Sequence, residues 1–180
     1  MAVFPVILDS CVLYPMYLRD TLLCAAEAGL YRPHWSQEIL DGALRNLVAK
    51  QQIKAQQASR LEQQIKSAFP DAMLEVPERL LPCMDNDPGD RHVLAAALIA
   101  KAQVIVTDNL KHFPPESLSQ FRVEAQSADR FLTSLYDLFP ESMLEVLQNQ
   151  VSWLRNPPMS VADLLNLLEK SAPNFVSRFR

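Results

Sequence analysis

The chain reads as an α/β protein, a parallel sheet flanked by helices and continued by an all-helical C-terminal extension. Three observations predict that class. Two short apolar runs rich in Val and Ile, Val3 to Leu8 and Val104 to Val106, have the length of buried strands. Segments of helical periodicity lie between them, and such alternation builds parallel sheets. From Ala128 onward the apolar spacing is helical, broken only around prolines. The expected division is an α/β domain over residues 1–137 and a helical extension over 138–180.

Taken in order, the first strand ends in Asp9 and tolerates Pro5 near its start. Asp20 or Thr21 is expected to cap the helix TLLCAAEAG, with Gly29 as its stop. LYRPHW is a short extended segment broken by Pro33. Ser36 opens a helix whose Ile39, Leu40, Ala43, Leu44 and Leu47 share one face. The Gln-rich stretch from Lys50 to Lys66 is expected to continue it, with Ile53, Leu61 and Ile65 as sparse anchors on a solvated helix. PDAMLEVPERLLP is a connector with room for one short strand, and NDPGD is a turn. Asp90 then opens a helix whose body, VLAAALIAKA, is apolar nearly all round and therefore buried. A short strand at Phe121–Val123 and three helices, the last two separated by Pro157–Pro158, complete the chain.

Composition narrows the function. Among 180 residues, 49% are hydrophobic and 21% charged, enough to bury a core. Gly29, Gly42 and Gly89 are too far apart for a dinucleotide fingerprint or a Walker loop, and no GxSxG elbow occurs. Cys11, Cys24 and Cys83 make neither a disulfide framework nor a CxxC metal site. No signal segment is visible, and the longest clean apolar run, Val93 to Ala100, falls short of a membrane span. The expectation is a reduced, cytoplasmic protein with no membrane partner. A net charge of −4 argues against nucleic-acid binding by bulk charge alone.

The acids that close apolar runs carry the chemistry. Asp9 and Asp108 end strands, and in an open parallel sheet the functional crevice lies at the strands' carboxyl ends. Asp90 opens a helix, and helices after strand-end turns begin at that same edge. Like charges brought together need a cation, and oxygen-only ligation selects Mg²⁺ or Mn²⁺. Carboxylate-held Mg²⁺ is a usual device for attack of water on a phosphodiester. Each acid also has a plainer role: Asp90 as a helix N-cap, Asp108 in an Asx turn. Arg45 and Arg91 are expected to be exposed or paired with an acid.

LDSCVLYP, PHWSQEILDGALRNL, DPGDRHVLAAAL and VIVTDNLKHFP occur in this order and at a spacing that resembles PIN-domain ribonucleases, in particular the VapC-type toxins of bacterial toxin–antitoxin systems. The resemblance covers roughly residues 3 to 135. It implies a PIN-like sheet, a Mg²⁺- or Mn²⁺-dependent endoribonuclease, an RNA substrate, a cognate antitoxin and, as one arrangement, a homodimer. Asp9 matches the family's first metal-binding acid and Asp90 its third. The fourth position falls on Asn109 with Asp108 beside it, and either can face the metal. Asn109, Lys111 and His112 would meet RNA phosphates.

Two departures stand out. Cys11 occupies a position where the family commonly has Asn or Ser. Gly42 replaces the usual second acid, a glutamate, so Asp41 or Glu38 is the candidate substitute. A Glu at position 42 would be a better helix former than Gly and is expected to restore activity without harm to the fold. The alternative is a catalytically weakened PIN-like module that binds RNA or a protein partner.

Overall fold

The computed structural model describes residues 3–180. The chain runs β1 (Pro5–Leu8), α1 (Ser10–Leu13), α2 (Met16–Glu27), β2 (Arg32–Ser36), α3 (Gln37–Ala49), α4 (Ala55–Ala68), β3 (Met73–Leu74), α5 (Arg91–Ala100), β4 (Val104–Val106), α6 (Pro115–Ser119) and β5 (Glu124–Gln126). Helices α7 (Ala128–Leu138), α8 (Pro140–Trp153), α9 (Val161–Leu168) and α10 (Pro173–Ser177) follow. The five strands lie in the order β3-β2-β1-β4-β5, and every neighbouring pair is parallel. From β1 the chain moves outward to β2 and β3, then returns to the other side for β4 and β5. The order therefore reverses at the β1/β4 junction, which makes that junction the switch point of the sheet.

Apolar side chains dictate these layers. Val6, Ile7 and Leu8 are fully buried in the central strand, as are Ile105 and Val106 beside them. Helix α5 packs on β1, β2 and β4, burying Val93, Leu94 and three alanines without a break. Pro33 sits inside β2. Arg32 donates its N–H to Phe4, so the Pro33 nitrogen faces the other way, where β3 reaches only Trp35 and Ser36. No ladder bond is lost there.

Three boundaries differ from the sequence expectation, each for a local reason. Helix α2 begins at Met16 after Pro15 rather than at Asp20, since proline favours a helix start and Asp9 separately caps the short α1. The stretch from Lys50 is not one helix: Gln51 adopts φ 54, and α4 folds back so that Leu61 and Ile53 pack on Leu44 and Leu47. The last strand lies at Glu124–Gln126, because Val123 is drawn into the core and Arg122, at φ 55, turns the chain ahead of it. Gly29, at φ 77, ends α2 as expected.

The C-terminal helices share this core, with Leu164, Phe175 and Val176 buried in the same cluster as β1. Gln150 of α8 ties them to α2, accepting from Thr21 Oγ1 at 2.8 Å and donating to Tyr17 O at 3.2 Å. Among the described residues no helix is long and apolar enough to cross a membrane.

Candidate active site

Asp9 closes β1 and is 1% exposed. Its Oδ1 accepts the Ser10 N–H at 2.6 Å, capping α1, and lies 3.3 Å from Ser10 Oγ. Its Oδ2 accepts from Thr107 Oγ1 at 2.7 Å and from Cys11 Sγ at 3.4 Å. A buried carboxylate needs such donors to remain tolerable. Thr107, fully buried at the end of β4, also accepts the Asn109 N–H at 3.1 Å. Cys11 lies 3.3 Å from Thr107 Oγ1 and accepts the Asp108 N–H at 3.3 Å. Burial and the neighbouring Asp9 charge push its thiol up to about 12, so it stays protonated and can donate to Asp9. The ends of β1 and β4 are thus laced together side chain to side chain.

Asp108 stands next to this network. Its Oδ1 accepts the Ala128 N–H at the start of α7, 3.1 Å away. Partial desolvation raises its proton affinity above that of an ordinary aspartate; the Ala128 bond opposes this, and the charges of Asp129 and Asp9 add to it.

Asp90 immediately precedes α5. Its side chain makes no helix cap, so the capping role does not account for it. Instead His112 Nδ1, on the loop after β4, lies 2.6 Å from Asp90 Oδ2. Asp87 joins them: its N–H donates to His112 O, and one ligand atom each from Asp87, Asp90 and His112 lie within 4.8 Å of one another. Among the described residues this is the group of three potential metal ligands so closely spaced; Asp9, Asp90 and Asp108 do not form one. Asn86, buried, braces the loop by donating Nδ2 to Asp90 O at 3.0 Å.

Helix α3 carries the remaining candidates. Its N-cap is Ser36, whose Oγ accepts the Ile39 N–H at 3.3 Å. Glu38 Oε2 lies 3.8 Å from His92 Nδ1, on the side facing α5. Asp41 turns toward α4, accepts from Gln37 Nε2 at 2.7 Å and lines a groove with Arg45 and Glu62. Gly42 faces α1, where an added Cβ would stand 3.1 Å from Ser10 Cβ. A side chain at 42 is therefore not free of cost, contrary to the expectation from helix propensity. Lys111 and Arg45 are exposed. Arg91 makes no ion pair among the described residues, and its Nε is buried without a hydrogen-bond partner.

Sequence reasoning missed Ser10, Thr107 and Asp87. The signals were present: a hydroxyl directly after Asp9, a Thr directly after an apolar strand, and a second aspartate three residues before Asp90.

Comparison with known proteins agrees with this architecture. A profile described as VapC50 C-terminal domain matches residues 128–180. The Mycobacterium tuberculosis protein named "Putative ribonuclease VapC50" is 40% identical over 101 residues, which is 56% of this chain and 60% of that relative. No solved structure gives a significant match. The PIN domain profile matches residues 5–111, the segment that holds β1, β4, Asp9, Asp90 and Asp108, and the chain belongs to the PIN domain family.

Proposed function

We propose that this protein is a metal-dependent endoribonuclease that cleaves RNA phosphodiesters, acting as the toxin of a toxin–antitoxin pair in the cytoplasm. The observation that carries the reading is Asp9: a carboxylate buried at the sheet's switch point, held by Thr107 and Ser10. Buried acids of this kind are costly unless their charge is used. Asp108 feels the Asp9 charge, and Asp90 is joined through His112 to the loop that follows β4, so the candidate donors are mostly carboxylate oxygens, which suit a hard dication.

Asp9, Asp90 and Asp108 would hold Mg²⁺ or Mn²⁺. Such an ion lowers the pKa of bound water and offsets charge on the phosphate under attack. The chain's own residues do the rest. Thr107 and Ser10 fix the Asp9 carboxylate, while the protonated Cys11 adds a donor without a competing charge. Asn109, Lys111 and His112 meet the RNA backbone. Of the two acids offered for the role lost at Gly42, Glu38 is the better placed, because it approaches His92, two residues from Asp90, whereas Asp41 is engaged by Gln37. By family resemblance the products carry 5′-phosphate and 3′-hydroxyl ends, and the toxin is silenced by its antitoxin, with a homodimer as one arrangement.

The test is cleavage of a labelled RNA with Mg²⁺ or Mn²⁺. Asp9→Asn should lower the rate by about 100-fold or more, with unchanged circular dichroism. Cleavage in excess chelator would overturn the mechanism. Gly42 favours a second reading, an RNA- or protein-binding module: RNA retained but uncut with either metal would select it.

A further inference from the structure

The Asp87–Asp90–His112 group has a chemistry that an all-carboxylate site lacks. Two aspartates and one imidazole place ligand atoms within 4.8 Å of one another, on the NDPGD turn and the loop after β4. His112 Nδ1 already meets Asp90 Oδ2 at 2.6 Å. Asn86, 3% exposed and bonded through Nδ2 to Asp90 O, leaves its Oδ1 without a partner in the same turn. A buried amide oxygen left unpaired costs stability unless something accepts its lone pairs. On α3, meanwhile, Gly42 contributes no donor, and a Cβ there would press on Ser10.

We infer that His112 and Asp87 join Asp90 as ligands of the cation, so that this site takes a transition dication such as Mn²⁺ in preference to Mg²⁺. The inference rests on the nuclease reading above and adds to it the identity of the metal. Imidazole is a good donor to first-row transition metals, whereas Mg²⁺ prefers oxygen and keeps its waters. Asp87, carried by the loop, supplies the oxygen that position 42 does not. Adjacent ligands on an octahedral ion with bonds of about 2.1 Å sit about 3 Å apart. The 2.6 Å contact between His112 and Asp90 therefore has to open by about 0.4 Å, with the proton between them released to water as the ion takes its place. That adjustment is small for a loop side chain.

Pulsed electron paramagnetic resonance on the full chain loaded with Mn²⁺ tests this directly, alongside Mn²⁺ and Mg²⁺ titrations. The wild type should show ¹⁴N modulation from one imidazole and bind Mn²⁺ at least about tenfold more tightly than Mg²⁺. His112→Gln should abolish the modulation and lower the Mn²⁺ preference several-fold while the protein stays folded. Asp87→Asn should weaken both ions alike. Absence of ¹⁴N modulation in the wild type, or its persistence in His112→Gln, would overturn the assignment. Equal affinity for the two ions would do the same. RNA cleavage without nitrogen coupling sinks this inference and leaves the nuclease reading intact; nitrogen coupling without cleavage of any RNA supports the metal assignment and sinks the nuclease reading.

Discussion

Helix α3 has a polar network on either side. Toward α1, Gly42 lies against Ser10, and Ser10 in turn holds Asp9, which is bonded to Thr107 and Cys11. Toward α4, Asp41, Gln37, Glu62 and Lys66 bond to one another at 2.6–2.8 Å. Each network contains hydrogen bonds of 2.6–2.7 Å, but their surroundings are opposite. The first network centres on buried Asp9 and Thr107, and its carboxylate has no counter-cation among these partners. The second is solvated and includes a cation, Lys66, which with Gln37 holds the Glu62 carboxyl below its ordinary value. Exposed pairs of that kind are worth little because water competes and salt screens. Similar carboxylate hydrogen bonding thus marks the candidate site on one side and ordinary surface on the other.

The sharpest way to break that contrast is Asp9→Asn, whose effect falls on cleavage. Next comes Thr107→Val, which keeps shape and removes one hydroxyl. It deprives Asp9 Oδ2 of its shortest donor and the Asn109 N–H of its acceptor. We expect a loss of about 1.5–3 kcal/mol in urea unfolding, the range for a bond to a buried charge. Cleavage should fall as well, about 10–100-fold, as for outer-shell partners of metal ligands. A loss below 0.5 kcal/mol, on the order of a surface substitution, would mean that the two networks are energetically alike.

Gly42→Ala probes the seam between them. Helix propensity favours Ala by about 1 kcal/mol, but overpacking costs about 1–3 kcal/mol. The added methyl would meet Ser10 Cβ at 3.1 Å, and Ser10 cannot retreat without disturbing the cap that Asp9 provides. Net destabilisation of about 1 kcal/mol is expected in thermal unfolding. A gain in stability would show that α1 yields freely, and Gly42→Glu would then become a fair means of raising activity. Asp41→Ala, on the solvated side, should change stability by less than about 0.5 kcal/mol and leave the cleavage rate within twofold, roughly. Glu38→Gln should lower the rate and leave stability alone. The reverse pattern would assign the missing acid's role to Asp41.

Much of this contrast could be read in the sequence, and the limits of that reading are physical. Asp9, Asp90 and Asp108 stand out in the sequence because strand ends and helix starts leave one-dimensional marks. The parallel sheet follows from alternating periodicities, and Gly29 from its place after a helix. The fold-back of α4 does not follow, because Ile53, Leu61 and Ile65 have the same spacing in one long helix as in two antiparallel ones; only the packing of Ile53 and Leu61 on Leu44 and Leu47, with Ile65 in the main core, decides. Nor does the pairing of His112 with Asp90, which depends on loops 22 residues apart meeting at one edge. Whether Gly42 is a lost acid or a required gap is likewise a question about Ser10, a residue on another helix.

The smallest effect expected is on Asp108, and it changes sign with conditions. Partial desolvation keeps its carboxyl more readily protonated than that of an ordinary aspartate; Ala128 N–H opposes this, and the Asp129 and Asp9 charges reinforce it. In the window between the ordinary aspartate range and this raised value, the folded chain binds more protons than the unfolded chain. Stability therefore falls as pH rises through that window, and the cost is complete at neutral pH. Asp108→Asn keeps an oxygen for Ala128 and removes the titration. Metal-free, the variant should be more stable than wild type at neutral pH by roughly a few tenths of a kcal/mol, a modest figure because the group is partly solvated. Below the ordinary aspartate range the two should coincide. Saturating Mn²⁺ should reverse the order if Asp108 is a ligand, since an ion bound more tightly by the wild type stabilises it by mass action. If the variant remains the more stable protein with Mn²⁺ present, Asp108 serves only to hold the start of α7, and the fourth metal position passes to Asn109.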